Sequence, residues 1–159
     1  MGAIGRVKVI VVDRTRMGFL KEAQDLYLGR LSHYTSLEWI EVKPVRYKKG
    51  LNPERILDKE ASLIRKKIDP VDYVIVLDRQ GRTYSSEEFA SHLERLFHQG
   101  RPILFLIGGP LGIQNKLLET AHETISLSSM TLTHEWSRVL LLEQVYRAFT
   151  IIRGESYHK

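Results

Sequence analysis

The sequence predicts a single α/β domain in which a mostly parallel sheet is covered by helices on both faces. Three observations lead to this prediction. Apolar runs of strand length alternate along the chain with segments of helical periodicity. These runs are apolar at nearly every position, which is typical of strands that are buried on both faces. The chain has 159 residues without a long linker or a repeat, so we expect one domain spanning residues 1–159.

The N-terminal half begins with three clear elements. They are a β-branched strand, an amphipathic helix and a second strand, at 7–12, 21–31 and 37–42. Asn52, Pro53 and Glu54 then predict the start of a second helix, because asparagine caps helices, proline suits the first turn and an acid complements the helix dipole. We expect one face of this helix to be buried, consisting of Leu57, Ala61, Ile64 and Ile68.

The C-terminal half repeats the alternation of strands and helices. Strands are predicted at 73–77, 103–107 and 124–127. Ser85 and Glu88 have the spacing of a capping box, so a helix should begin there and end near Gly100. Two further helices are predicted at 115–122 and 135–152. In a parallel sheet, ligands bind at the carboxyl ends of the strands, so candidate binding loops are 78–84, 108–114 and 128–134.

The charge is distributed unevenly. The formal net charge is +5, and residues 1–80 contain 16 Lys and Arg against 11 Asp and Glu, whereas the remainder is balanced at 8 against 8. Basic asymmetry of this kind is typical of a surface that binds a polyanion, although a solvated surface remains the alternative. Candidate phosphate contacts are Arg46, Lys48 and Lys49 in a basic loop, with the run 65–67 as a second group.

Several kinds of chemistry are disfavoured by what the sequence lacks. The chain has no cysteine, no apolar run near the roughly 20 residues of a membrane span, and no secretory signal, so we expect a cytoplasmic protein. The six histidines form no metal-binding pair, and we expect no metal. Neither a Walker A motif nor G-x-G-x-x-G is present, and Pro110 removes one amide from the turn after Gly108 and Gly109. The turn therefore favours an adenosine-type cofactor without a phosphate.

Six segments together resemble a known family. They include LIGGPLG at 106–112 and lie at 55–60, 74–81, 105–112, 127–134, 143–148 and 153–159, with Arg138 between them. In this order and at this chain length they are similar to the bacterial large-subunit ribosomal RNA pseudouridine N3-methyltransferase H family. That family is a minimal group of SPOUT methyltransferases, whose C-terminal part forms a trefoil knot.

The resemblance implies S-adenosylmethionine as the cofactor, held by three loops of the knot. The implied cofactor-binding residues are Leu77, Gly108, Gly109, Leu127, Ser128, Ser129, Met130, Thr131 and Leu132. We expect Gly109→Val to abolish cofactor binding while the fold survives, because a β-branched side chain would fill the space that the adenosine needs and would resist a positive φ. Two positions depart from the family pattern, because Leu111 stands where an acid is common and Thr133 where a proline is common.

The resemblance also implies a substrate and an assembly. The substrate is N3 of a pseudouridine in large-subunit ribosomal RNA, within the assembled ribosome. The enzyme is a homodimer with the final helix at its interface and the C-terminal tail of the other subunit near the site. The candidate catalytic residues are His134, Arg138, Tyr157 and His158. His134 is a candidate base, with helix capping as its alternative, and Arg138 is a candidate anion ligand, with an interface ion pair as its alternative. A non-catalytic basic RNA-binding module and a SPOUT methyltransferase with another substrate remain the alternative functions.

Overall fold

A five-stranded parallel sheet forms the centre of the computed structural model, which describes residues 2–158. The strands are β1 (Arg6–Val12), β2 (Ser36–Val42), β3 (Tyr73–Arg82), β4 (Ile103–Ile107) and β5 (Glu123–Ile125). They are arranged in the order β2-β1-β4-β3-β5, and every neighbouring pair is parallel. The predicted α/β class with a parallel sheet is confirmed. The trefoil knot that the family resemblance implies stays a prediction.

Helices cover both faces of the sheet, as predicted. They are α1 (Gly18–Leu31), α2 (Pro53–Arg65), α3 (Ser86–His98), α4 (Asn115–Leu118) and α5 (His134–Ile152). Val9 and Val11 of β1 face the core beneath α1, α3 and α5, whereas Ile10 and Val12 face the core beneath α2 and α4. This arrangement explains why the strands are apolar at consecutive positions. Within the described residues, no helix has both the length and the apolar character needed to cross a membrane.

Local signals fix the helix ends. The Asn52 side chain accepts a hydrogen bond of 3.0 Å from the backbone N–H of Glu54, and Ser85 and Glu88 form the complete capping box. After α5, the N–H groups of Gly154 and Glu155 donate to the carbonyls of Ile151 and Thr150, which is the Schellman arrangement, and Gly154 has a φ of +67°.

Four predicted details are wrong. β5 ends at Ile125 instead of continuing to residue 127. β3 continues to Arg82 instead of ending at Leu77, because the chain bulges and then pairs again with β5. α4 ends at Leu118 rather than near residue 122, because the N–H of His122 donates to the Val74 carbonyl and the chain enters the sheet there. In α2, Ile56 is buried and Leu57 only half-buried, since the helix packs with Ile56, Glu60, Ala61 and Ile64 inward.

Candidate functional site

A cleft of about 720 Å³ lies at the carboxyl ends of β3, β4 and β5. Its walls are three chain segments, 77–80, 107–113 and 125–134 without residue 129, together with Asn115, Leu118 and Ser137. This position follows the rule that predicted the site, because the loops that leave parallel strands meet at one edge of the sheet. The volume lies within the usual range for small-molecule and cofactor sites.

The first wall of the cleft is the bulge of β3 at 78–81. Leu77 and Arg82 both pair with Ile125, so the residues between them project from the sheet. The Asp78 carboxylate accepts a hydrogen bond of 2.9 Å from the N–H of Gln80. A Cβ at Gly81 would lie 2.5 Å from the backbone carbonyl carbon of Ile125, so only glycine allows this close approach. The glycine three residues after Asp78 was the available sequence signal for the bulge.

The second wall is a tight turn at the end of β4. The N–H of Gly112 donates to the Gly109 carbonyl at 2.9 Å, and Pro110 occupies the second position of the turn, where proline is favoured. A Cβ at Gly108 would lie 2.6 Å from the Gly112 carbonyl oxygen. The turn therefore closes directly over Gly108.

The positive φ expected at Gly109 is wrong, while the loss of cofactor binding in Gly109→Val stays a prediction. This residue has no positive φ, and a Cβ there would lie 3.4 Å from the Val12 side chain, an ordinary contact distance. Sequence alone could not separate the two neighbouring glycines, because the difference depends on which residue lies opposite each of them. Gly108 is the position where added volume disturbs the wall.

The third wall is shaped by serine and threonine side chains. The Ser126 hydroxyl donates to the Ser128 carbonyl at 2.8 Å, and the Ser128 hydroxyl accepts from the N–H of Met130 at 2.9 Å. The residues of this segment predicted to contact the cofactor line the cleft, except Ser129; they are Leu127, Ser128, Met130, Thr131 and Leu132. Leu77, Gly108 and Gly109 line the other two walls.

His134 lies at the edge of the cleft as the first residue of α5. The helix is capped by Thr133, whose hydroxyl accepts from the N–H of Trp136 at 3.4 Å, so capping does not explain His134. Burial, with the nearby Arg138 charge as a second cause, lowers the pKa of His134 below its ordinary value of 6.5. The imidazole is therefore neutral at pH 7 and able to accept a proton.

Arg138 lies one turn later and does not line the cleft. Its side chain is fully buried, and it donates to the Val12 carbonyl at 2.6 Å and to the Thr15 hydroxyl at 3.0 Å. These bonds join the start of α5 to the loop after β1. The neighbouring Glu135 carboxylate also accepts from the N–H of Met17 at 3.2 Å. Arg138 thus holds the helix that carries His134.

Tyr157 and His158 pack against helices of their own chain and do not line the cleft. The Tyr157 hydroxyl donates to Glu143 at 3.2 Å, and the Arg147 guanidinium lies 4.8 Å from the Tyr157 ring centre. His158 forms a 2.8 Å contact with Glu87 at the start of α3. A hydrogen bond with Tyr27 and burial raise the pKa of Tyr157 to about 12, so its phenol stays protonated at neutral pH.

The basic loop lies outside the cleft. Arg46, Lys48 and Lys49 are exposed in the connection after β2. The buried Glu60 carboxylate of α2 lies 4.0 Å from the position that a Cβ at Gly109 would occupy. The second basic group, 65–67, lies at the far end of α2, where the Lys67 carbonyl accepts from Lys8.

The cleft is polar but carries little charge. Asp78 is the one carboxylate and Arg79 the one Lys or Arg side chain among its lining residues. Across residues 2–158, no group of three His, Cys, Asp or Glu residues is placed to hold a metal ion. Hydroxyl groups and backbone amides beside an apolar floor suit a ligand of nucleoside type.

Comparisons with known proteins agree with this geometry. Residues 6–158 match a family model described as "Predicted SPOUT methyltransferase". A protein of Caldicellulosiruptor saccharolyticus named "Ribosomal RNA large subunit methyltransferase H" is 43% identical over 153 residues, covering 96% of this chain and 99% of its own. A protein of the same name from Carboxydothermus hydrogenoformans is 42% identical over 158 residues, with the same two coverages.

Solved structures share the fold at low sequence identity. A probable methyltransferase from Bordetella pertussis has a TM-score of 0.60 and 13% identity, covering 92% of this chain and 95% of its own. A probable methylase family protein from Haemophilus influenzae has a TM-score of 0.59 and 13% identity, covering 98% and 71%. At this identity the likeness concerns the fold alone.

Proposed function

This chain belongs to the SPOUT methyltransferase family, and we propose that it transfers a methyl group from S-adenosylmethionine to N3 of a pseudouridine in large-subunit ribosomal RNA. One observation carries the proposal. Three of the six segments that resemble the pseudouridine N3-methyltransferase family, 74–81, 105–112 and 127–134, converge on one cleft. Near-full-length relatives with more than 40% identity are named as methyltransferases of large-subunit ribosomal RNA, which supports the substrate.

The cleft fits S-adenosylmethionine by volume and by donor chemistry. This cofactor carries no phosphate, and the turn at 108–112 offers no phosphate cradle because Pro110 has no N–H. Serine hydroxyls and the backbone of 126–132 supply hydrogen-bonding groups for an adenosine, and the side chains of Leu77, Ile107 and Leu118 supply apolar contact. When bound, the cofactor supplies a methyl group on a sulfonium, which is electrophilic.

The residues of the chain then position the acceptor nitrogen and accept the proton that it loses. Methyl transfer forms a bond between N3 and the methyl carbon, and the carbon–sulfur bond breaks in line with it. The acceptor N3 must also lose its proton. His134 is neutral at pH 7 and lies on the cleft edge, so it is the side chain in the cleft best suited to accept that proton. Arg138 positions His134, because its hydrogen bonds to Val12 and Thr15 hold the first turn of α5 in place.

The RNA-binding face includes the basic loop after β2. The positive charge of the chain lies in residues 1–80, while the cleft is built mainly from the balanced C-terminal half. Arg46, Lys48 and Lys49 are exposed and form no ion pair with any residue in 2–158, so they are available for phosphates. A small enzyme offers little surface for reading RNA. We therefore propose that it acts on the assembled ribosome, which holds the target nucleotide in place.

We also propose a homodimer. The apolar residues Leu141, Val145 and Phe149 of α5 are buried within their own chain. The support is instead a group of exposed apolar side chains on α1 and the start of α5, namely Met17, Phe19, Leu26 and Trp136. Phe19 and Trp136 contact each other with ring centres 5.8 Å apart. Replacing both with glutamate should convert a dimer into an 18.4 kDa monomer in sedimentation experiments.

The test is methyl incorporation into ribosomes that lack the modification, followed by mapping of the modified nucleotide. We expect the methyl group of labelled S-adenosylmethionine to be transferred to N3 of a pseudouridine in the large subunit. An enzyme that acts on ribosomes in this way would work in the cytoplasm. If calorimetry shows no cofactor binding at millimolar concentration, the chain is a non-catalytic RNA-binding module. If the methyl group appears on another RNA, the alternative substrate is correct.

The basic loop has a matched control. Replacing Lys48 and Lys49 with alanine should reduce the log–log salt slope of ribosome binding by roughly 0.7–0.9 per lost phosphate contact, with unchanged cofactor affinity. Replacing Lys66 and Lys67 with alanine removes the same charge from the second candidate group at the end of α2, and we expect the slope to fall less than with the loop pair. An equal effect of both pairs would assign binding to net charge instead of to this loop.

A further inference from the structure

We propose that Arg79 binds a phosphate of the RNA next to the target nucleotide, an inference that rests on the proposed function. Arg79 is exposed and lines the cleft, where it is the one Lys or Arg side chain. This contact at the cleft would supplement the phosphate contacts of the basic loop after β2. It would place the target base relative to the cofactor rather than only attract the RNA.

The backbone that carries Arg79 is held at both ends. On one side, the Asp78 carboxylate binds the N–H of Gln80 at 2.9 Å. On the other side, Gly81 lies against the backbone of Ile125, and the Arg82 carbonyl accepts from the N–H of Ser126 at 2.9 Å. An arginine on a fixed bulge loses less conformational freedom on binding than one on a mobile loop, which makes it suitable for positioning a ligand.

The Arg79 side chain has no partner in the described part of the protein. It forms neither an ion pair nor a side-chain hydrogen bond with residues 2–158, whereas nearby arginines are engaged. Arg82 lies over the Tyr84 ring with its guanidinium 4.6 Å from the ring centre, and Arg138 is buried. A guanidinium with five unused donors at the edge of a nearly neutral cleft is suited to a bidentate oxyanion.

A phosphate fits this position better than the carboxylate of the cofactor does. The cleft already offers the hydroxyls of Ser126, Ser128 and Thr131 for the polar groups of the cofactor. Arg79 is exposed, as expected for a group that meets a second, larger ligand. A nucleotide whose base enters the cleft keeps its phosphates outside, within reach of such a side chain.

The experiment compares Arg79→Gln and Arg79→Lys with a control, Arg95→Gln, which removes an exposed arginine from the outer part of α3 away from the cleft. Three quantities are measured for each variant: cofactor affinity by calorimetry, KM and kcat for ribosome methylation, and the salt slope of ribosome binding. We expect Arg79→Gln to raise the KM for ribosomes several-fold and to lower the salt slope by about one, with unchanged cofactor affinity. Arg79→Lys should recover part of the loss, and Arg95→Gln should behave as the parent.

Each other outcome has a distinct meaning. If Arg79→Gln weakens cofactor binding, Arg79 binds the cofactor carboxylate and the inference is wrong. If the parent methylates ribosomes and Arg79→Gln keeps the parent's KM and salt slope, the inference fails while the proposed function stands. If the parent does not methylate ribosomes at all, the proposed function fails, and this inference fails with it.

Discussion

Replacing Gly108 with alanine should weaken cofactor binding, whereas the same change at Gly109 should not. The added methyl group at Gly108 would lie 2.6 Å from the Gly112 carbonyl oxygen and 2.7 Å from its carbon. Because these are backbone atoms, the turn has to open. At Gly109 the methyl group would meet Val12 at 3.4 Å, an ordinary contact distance.

The expected magnitude follows from this geometry. Overpacking of a closed site costs about 1–3 kcal/mol. Opening the turn also breaks the hydrogen bond between the N–H of Gly112 and the Gly109 carbonyl, which contributes about 1 kcal/mol. If most of this cost falls on the cofactor-bound form, the affinity decreases by roughly tenfold or more, since 1.4 kcal/mol corresponds to a factor of ten.

Calorimetric titration of both variants with S-adenosylmethionine measures the effect, and thermal unfolding shows that each variant is folded. We expect Gly108→Ala to bind at least tenfold more weakly than the parent and Gly109→Ala to bind within about twofold of it. A folded Gly108→Ala variant with the parent's affinity would refute the role assigned to the turn. Equal weakening by both substitutions would show that the distances to Gly112 and Val12 do not decide the outcome.

Three further predictions concern the start of α5. Arg138→Met should lower the free energy of unfolding by about 1–3 kcal/mol, because the Val12 carbonyl and the Thr15 hydroxyl each lose the hydrogen bond that the buried guanidinium donates; denaturant unfolding measures it. Thr133→Ala should cost about 1 kcal/mol through loss of the helix cap, and Thr133→Ser should restore it. Because the folded protein lowers the pKa of His134, the unfolded state binds more protons below about pH 6.5, so stability should fall as the pH decreases through that value. His134→Gln should reduce this pH dependence in unfolding curves measured between about pH 5 and 7, and an unchanged slope would contradict the assigned pKa shift.

Sequence patterns determined those features of the protein that depend on neighbouring residues. The cap at Asn52 and the capping box of Ser85 and Glu88 appear where the sequence predicts them, because each needs groups only two or three residues apart. The parallel sheet followed from strands that are apolar at consecutive positions. The place of the cleft followed from the rule for strand ends, and the family resemblance supplied its chemistry.

The tertiary structure decided what depends on residues that are distant in sequence. The bulge that carries Arg79 exists because Arg82 pairs with Ile125, and no pattern in 73–84 alone specifies that partner. Gly108 and Gly109 are equivalent in sequence, but only Gly108 lies beneath the closing turn. Arg138 is polar in sequence, yet it is buried because Val12 and Thr15, more than 120 residues earlier, offer it acceptors. Local propensity is encoded within a few residues, whereas contacts between distant segments form only when the whole chain packs.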